Sequence, residues 1–151
     1  APSLPAGALA SISHKRTLAI ALAAPAPADS VTFPRAALGV DLEEDRTLKV
    51  DISRRVLTAN EHARLAALPA HERDRSLIQH FSLKEAFYKA VNGFELAHVS
   101  FHDVEVTRIY ADGTAEFAAP VLLEQQLTIN GWIGSFVDGH VVASVRAVRA
   151  G

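Results

Sequence analysis

Three short stretches hold polar residues at spacings that chemistry could use: SISH at Ser11–His14, GVDLE at Gly39–Glu43 and FSLKEAFYKA at Phe81–Ala90. In GVDLE the acids Asp41 and Glu43 stand two apart, so on a strand both carboxylates project from one face. Like charges that close raise each other's pKa unless a cation sits between them. A hard divalent ion such as Mg²⁺ suits such oxygen ligands and usually keeps waters and substrate phosphates in its shell. In FSLKEAFYKA, Lys84, Glu85 and Lys89 lie among apolar residues, and Glu85 faces Lys89 across one helical turn. Glu85 could serve as a third carboxylate, with Lys89 beside it. Each fragment also has an ordinary reading. An exposed i,i+4 ion pair adds only about 0.3–0.5 kcal/mol, a D-x-E pair can be a solvated strand end, and a lone His14 can be a surface or capping residue.

The elements that must position these residues follow from periodicity and stop signals. Residues 1–10, APSLPAGALA, predict a linker or lead-in, and residues 11–151 a single domain. Thr17–Ala24 predicts a buried strand stopped by Pro25 and Pro27; Ala36–Leu42 is a second short apolar run that ends in acids. Thr58 with Glu61 three residues on is a capping box, and the helix it opens is stopped by Pro69. A longer helix is predicted from about Ala70 to Asn92, with Asn92-Gly93 as its stop, and it carries Lys84, Glu85 and Lys89. Val104–Tyr110, Asp112-Gly113 and Thr114–Phe117 predict a hairpin, and Trp132–Val137, Asp138-Gly139 and His140–Val148 a second. The sum is an α+β fold in which an antiparallel sheet packs with helices.

At 151 residues the chain is long enough for one domain with a real core. Its 49% hydrophobic and 21% charged residues exclude wholesale disorder. A net charge of −2 and a pI near 6.4 argue against a broad nucleic-acid or anionic-membrane footprint, so any bound anion must be held by a local cluster. No apolar run reaches the ~18 residues needed to cross a bilayer. No basic region and cleavage site frame a signal peptide. The absence of cysteine removes disulfides and thiolate metal sites and fits a cytoplasmic location. The chain also lacks methionine and starts at Ala1, as expected of a piece excised from something longer or of simple removal of an initiator methionine.

Taken together and in this order, SISH, GVDLE and a helix bearing S-L-K-E-A-F-Y-K resemble the 4′-phosphopantetheinyl transferases, which move the phosphopantetheine arm of coenzyme A onto a serine of a carrier protein. The K-E-x-x-x-K element, Lys84 to Lys89, is that family's most specific motif, and Glu61 falls where the family often carries a further glutamate. SISH upstream of GVDLE resembles the longer, surfactin-synthetase-activating type. The resemblance covers roughly Ala10 to Gly93 with clear motifs. It implies a transferase-like fold, Mg²⁺ as cofactor, coenzyme A as substrate and an acyl or peptidyl carrier protein as partner. It also implies roles: Asp41, Glu43 and Glu85 holding Mg²⁺, Glu85 or a metal-bound water taking the serine proton, and Lys89 steadying the pyrophosphate and the departing 3′,5′-ADP. Ser13, His14 and Lys84 would contact coenzyme A phosphates, His14 the 3′-phosphate, with a solvated Lys84 left open. Phe81 is expected to pack in the core.

The longer type has a first lobe preceding SISH that supplies basic residues to coenzyme A, and almost none of it is in this sequence. Lys15, Arg16 and Arg35 are local basic candidates in its place. A second copy of the chain, or a lobe of a parent polyketide or fatty-acid synthase, is the expected alternative. A non-catalytic domain that keeps coenzyme A binding or serves as an interaction module is the second expectation.

Overall fold

Hydroxyls spaced two apart shape the start of the fold. The structure, a computed structural model, describes residues 5–27, 35–94, 99–135 and 138–150. Strand β1 (Ala8–Lys15) turns into β2 (Leu18–Pro25), and the two pair antiparallel from Ala8 opposite Pro25 to Lys15 opposite Leu18. Because side chains alternate along a strand, Ser11, Ser13 and Lys15 share one face of β1. Ser11 Oγ accepts the Val40 amide at 2.9 Å and Ser13 Oγ accepts the Leu42 amide at 3.2 Å, which fastens the hairpin to β3 (Ala36–Glu44).

From β3 the chain enters a helical stretch: α1 (Ser53–Val56), α2 (Ala59–Ala66) and α3 (Ala70–Asn92). A 3-10 turn at Phe101–Asp103 leads to β4 (Glu105–Ile109), β5 (Thr114–Ala118), α4 (Pro120–Glu124), β6 (Leu127–Ser135) and β7 (His140–Arg149). The second sheet has five antiparallel strands in the order β3-β7-β6-β5-β4. The α+β reading therefore holds, and no helix among the described residues is long and apolar enough to cross a membrane.

Helix α3 lies across β3 and β7. Its Leu83, Ala86, Phe87, Ala90 and Val91 meet Val141, Ala143, Val145 and Ala147 of β7 in the main core. On the opposite side of β3, Val40 and Leu42 pack with Val142 against Leu18, Ile20 and Leu22 of the hairpin. β3 is thus covered on both faces, which explains its near-continuous apolar run. Gly39 sits where α3 comes closest, because a Cβ there would drive into the Ala86 carbonyl oxygen. The helix can rest on β3 only over a residue without a side chain.

The long helix has the expected bounds, and the capping box forms: Thr58 Oγ1 accepts the Glu61 amide at 3.3 Å and Glu61 accepts the Thr58 amide at 2.7 Å. Gly93 ends α3 in ordinary right-handed backbone (φ −63°), not in the left-handed cap that glycine permits. Space is the reason for this glycine, since a Cβ would meet Ala37 Cβ at 2.9 Å. The Asp-Gly turns are the left-handed ones, with Gly113 at φ +90° and Gly139 at φ +79°. Three expectations shift, and the first is that β2 is not a buried strand: its residues alternate half-buried and exposed, because one face alone packs on β3. Strand β1 begins at Ala8, inside the stretch read as lead-in, because Ala8, Leu9 and Ala10 pair with Pro25, Ala24 and Ala23. The short helices α1 and α4 were not anticipated, since four or five residues show no period. Residues 1–4 of the lead-in, Phe136 and Val137 of the second hairpin and the final Gly151 lie outside the described residues.

Candidate active site

Three acids and two lysines meet where β1, β3 and α3 come together. The helical stripe Ser82, Glu85, Lys89 (spacings of three and four) points at β3. The contact over Gly39 brings Asp41, two residues further along the strand, against that stripe. Asp41 is 4% exposed. Its Oδ1 accepts Lys89 Nζ at 2.9 Å and Ser13 Oγ at 3.2 Å, and its Oδ2 accepts Ser82 Oγ at 3.1 Å. Lys89 Nζ also donates to the Val40 carbonyl at 2.9 Å. Glu43, on the same face of β3, pairs with Lys15 Nζ at 2.8 Å.

Burial pushes the Glu43 carboxyl up, Lys15 works against that shift, and the charges of Asp41 and Glu85 add to it. Glu85 is pushed up for the same first reason, burial, with Asp41 next, while Lys89 and Lys15 counter it. It accepts no hydrogen bond from the described residues. The three carboxylates lie within one another's field, and against them stand two ammonium groups, leaving one negative charge uncompensated. A pocket of about 530 Å³ opens beside Glu85 and Lys89, walled by Arg55, Tyr88, Asn92, Phe101 and His102.

The chemistry of the donors fits a hard divalent cation: oxygen ligands only, excess negative charge, and one carboxylate without a partner. Among the described residues no three acidic or histidine side chains are gathered closely enough to hold an ion by themselves.

Lys84 is elsewhere. Adjacent helical residues point about 100° apart, so Lys84 turns away from Glu85 toward α2. It is 0% exposed. Its ammonium donates to Glu61 Oε2 at 2.6 Å, to the Val56 carbonyl at 2.8 Å and to the Phe101 carbonyl at 2.9 Å. All three of its protons are spent, so neither a phosphate contact nor a solvated position describes it. Burial draws its pKa down while Glu61 opposes. Glu61 in turn accepts the Thr58 and Val106 amides, each at 2.7 Å, so the pair ties α1, α2, α3, the 3-10 turn and β4 together. One of the two motif lysines is architecture.

Ser13 is also committed inward: its hydroxyl proton goes to Asp41, so it supports the site and does not face a phosphate. His14 lies on the other face of β1 and is exposed. Phe81 packs beside Val56, Leu57, Leu65 and Leu77, as expected. Sequence reasoning missed Ser82, although it stands on the Glu85–Lys89 stripe, and missed the alternation that puts Lys15 on the face of Ser11 and Ser13.

The family model of the 4′-phosphopantetheinyl transferase superfamily matches residues 37–143. The chain belongs to that superfamily. The match takes in β3, α3 and the later hairpins, beyond the stretch legible from motifs, and begins after SISH. The holo-[acyl-carrier-protein] synthase of Anoxybacillus flavithermus is 40% identical over 52 residues, which is 34% of this chain and 43% of that relative. The chain thus matches less than half the length of that relative. A holo-(acyl-carrier-protein) synthase from Bacillus anthracis, solved in complex with CoA (3′,5′-ADP), superposes with a TM-score of 0.60 at 25% identity, covering 75% of this chain and 96% of that one. The Thermotoga maritima holo-[acyl-carrier-protein] synthase gives 0.57 at 21% identity, covering 75% and 63%. The transferase fold and the acid-lysine cluster are thereby joined in one chain.

Proposed function

We propose that this chain is a Mg²⁺-dependent 4′-phosphopantetheinyl transferase. It would move the phosphopantetheine arm of coenzyme A to a serine of an acyl or peptidyl carrier protein and release 3′,5′-ADP. The observation that carries the reading is the meeting of Asp41, Glu43, Glu85 and Lys89 over Gly39, in the strand and helix motifs of the superfamily. The naming of the relatives as holo-acyl-carrier-protein synthases, one of them bound to CoA (3′,5′-ADP), supports it.

In the reaction, the serine oxygen of the carrier bonds to the phosphorus that bears the pantetheine arm. The bond from that phosphorus to the bridging oxygen breaks, and 3′,5′-ADP leaves with the electron pair. Glu85 is suited to take the serine proton on a carboxylate oxygen, since no donor among the described residues competes for it and its basicity is raised by burial. Lys89, held at fixed depth by Asp41 and the Val40 carbonyl, is placed to stabilise the negative charge that grows on the leaving diphosphate. His14, exposed on β1, is the candidate for the 3′-phosphate. Asp41, Glu43 and Glu85 would hold Mg²⁺, which when bound neutralises the pyrophosphate. The pocket beside Glu85 and Lys89 offers room for the substrate.

The test is to incubate the protein with an apo carrier protein, coenzyme A and Mg²⁺, then weigh the carrier. A gain of one phosphopantetheine arm that is blocked by a chelator is expected. An unmodified carrier, with coenzyme A still binding to the protein, would favour the non-catalytic alternative.

A further inference from the structure

Lys15 is the one charged member of the cluster that lies outside SISH, GVDLE and the K-E-x-x-x-K element. It closes the alternating run Ser11, Ser13, Lys15 that faces β3, and its ammonium meets Glu43 at 2.8 Å. The two other acids have different situations. Asp41 is held by Lys89 and two hydroxyls deep in the fold, and Glu85 has no hydrogen-bond or ion-pair partner among the described residues. The Lys15–Glu43 pair is the accessible one: the Lys15 side chain is 36% exposed and that of Glu43 17%. The field of Lys15 also reaches Glu85.

We propose that Lys15 is a resident counter-ion of the carboxylate cluster, which a divalent cation must displace from Glu43 in order to bind. This inference rests on the reading of Glu43 as a metal ligand. A cation arriving at Glu43 meets an ammonium already paired with it, and two positive charges cannot share that carboxylate cheaply. The metal therefore binds the free protein weakly. When the phosphates of the nucleotide arrive they bring negative charge of their own, and the released ammonium gains a new anion within reach. Metal and nucleotide then bind with positive coupling, each strengthening the other. Lys15 acts as a positioning residue for the cation and touches no reacting atom.

The test measures Mn²⁺ binding to the full chain by electron paramagnetic resonance, for wild type, Lys15→Gln and Arg16→Gln, with and without 3′,5′-ADP. Arg16 is exposed at the tip of the hairpin, and its replacement removes the same unit charge without touching Glu43. Without nucleotide, Lys15→Gln is expected to bind Mn²⁺ about fivefold more tightly than wild type, the scale of a half-exposed ion pair, and Arg16→Gln to change it little. The strengthening of Mn²⁺ binding by 3′,5′-ADP is expected to be smaller in Lys15→Gln. Equal Mn²⁺ affinity in wild type and Lys15→Gln, or an equal gain in both glutamine variants, overturns the counter-ion role and leaves the metal reading standing. No Mn²⁺ binding by any of the three, with nucleotide present, removes the metal reading and the counter-ion role together.

Discussion

Lys84 and Lys89 show how little residue type alone decides. Both belong to one five-spaced motif, yet one is sealed among carbonyls and the other reaches the carboxylate cluster. The sequence made Glu85 and Lys89 legible because their spacing is that of one helical turn. It hid Lys84 because its partner Glu61 lies on another helix, and a buried ion pair leaves no local pattern. Replacing Lys89 by alanine separates a surface role from a catalytic one. With the growing charge of the leaving group unsupported, turnover is expected to fall ~10²–10³-fold, the usual consequence of losing one preorganised contact. A normal rate with a slightly lower thermal midpoint would leave Lys89 as a stabilising partner of Asp41 alone. Glu85→Gln tests the same site from the other direction. Its folded-state pKa lies above the ordinary 4.5, so the folded protein binds the proton more tightly than the unfolded chain. The ionised carboxylate therefore costs stability, and that cost grows as pH rises through the raised pKa. In the metal-free protein, Glu85→Gln should melt no lower than wild type at pH 7, and any gain should vanish below the ordinary carboxylate value. The same variant should lose transfer. A glutamine variant that melts lower at pH 7 would mean that Glu85 holds a stabilising partner.

The contact between α3 and β3 is where two elements become a site. Pro69, Thr58 and Asn92-Gly93 gave the helices their bounds because caps and breakers act within a few residues. Strand β1 was harder to see, as its first residues follow two prolines and a glycine and its serines suit a turn as well as a strand. The purpose of Gly39 also lay beyond sequence reasoning, since the carbonyl that excludes a side chain there belongs to Ala86, far along the chain. Gly39→Ala is accordingly expected to push α3 off the sheet. The obstacle is backbone, which cannot swing aside as a flexible side chain can, so the cost should reach at least the ~1–3 kcal/mol typical of overpacking. The shift would also draw Lys89 and Glu85 away from Asp41, so activity measured well below the melting temperature should drop with it. An alanine variant as stable and as active as wild type would show that helix and strand are not in register by necessity.

At the scale of the whole molecule, the site depends on a strand that contributes none of its residues. β3 pairs with β7 from Ala36 opposite Val148 to Glu44 opposite His140, so the strand bearing Asp41 and Glu43 is placed by the far end of the described chain. Hydropathy predicted both strands but could not order them, because alternation says which face is buried and not which neighbour is bonded. The same arrangement leaves β3 at the border of the five-stranded sheet. Borders of sheets carry backbone groups ready to recruit a strand from another molecule, the first step of ordered aggregation. Here the Val40 and Leu42 amides are already taken by the hydroxyls of Ser11 and Ser13, and the hairpin stands in front of them. The SISH segment thus occupies the open border of β3 as well as supporting Asp41. Replacing both serines by alanine should free two donors, lower the thermal midpoint, and make the protein scatter light on mild heating well before wild type does. Unchanged scattering with the amides of Val40 and Leu42 still slow to exchange would show that the hairpin shields the border without its hydroxyls.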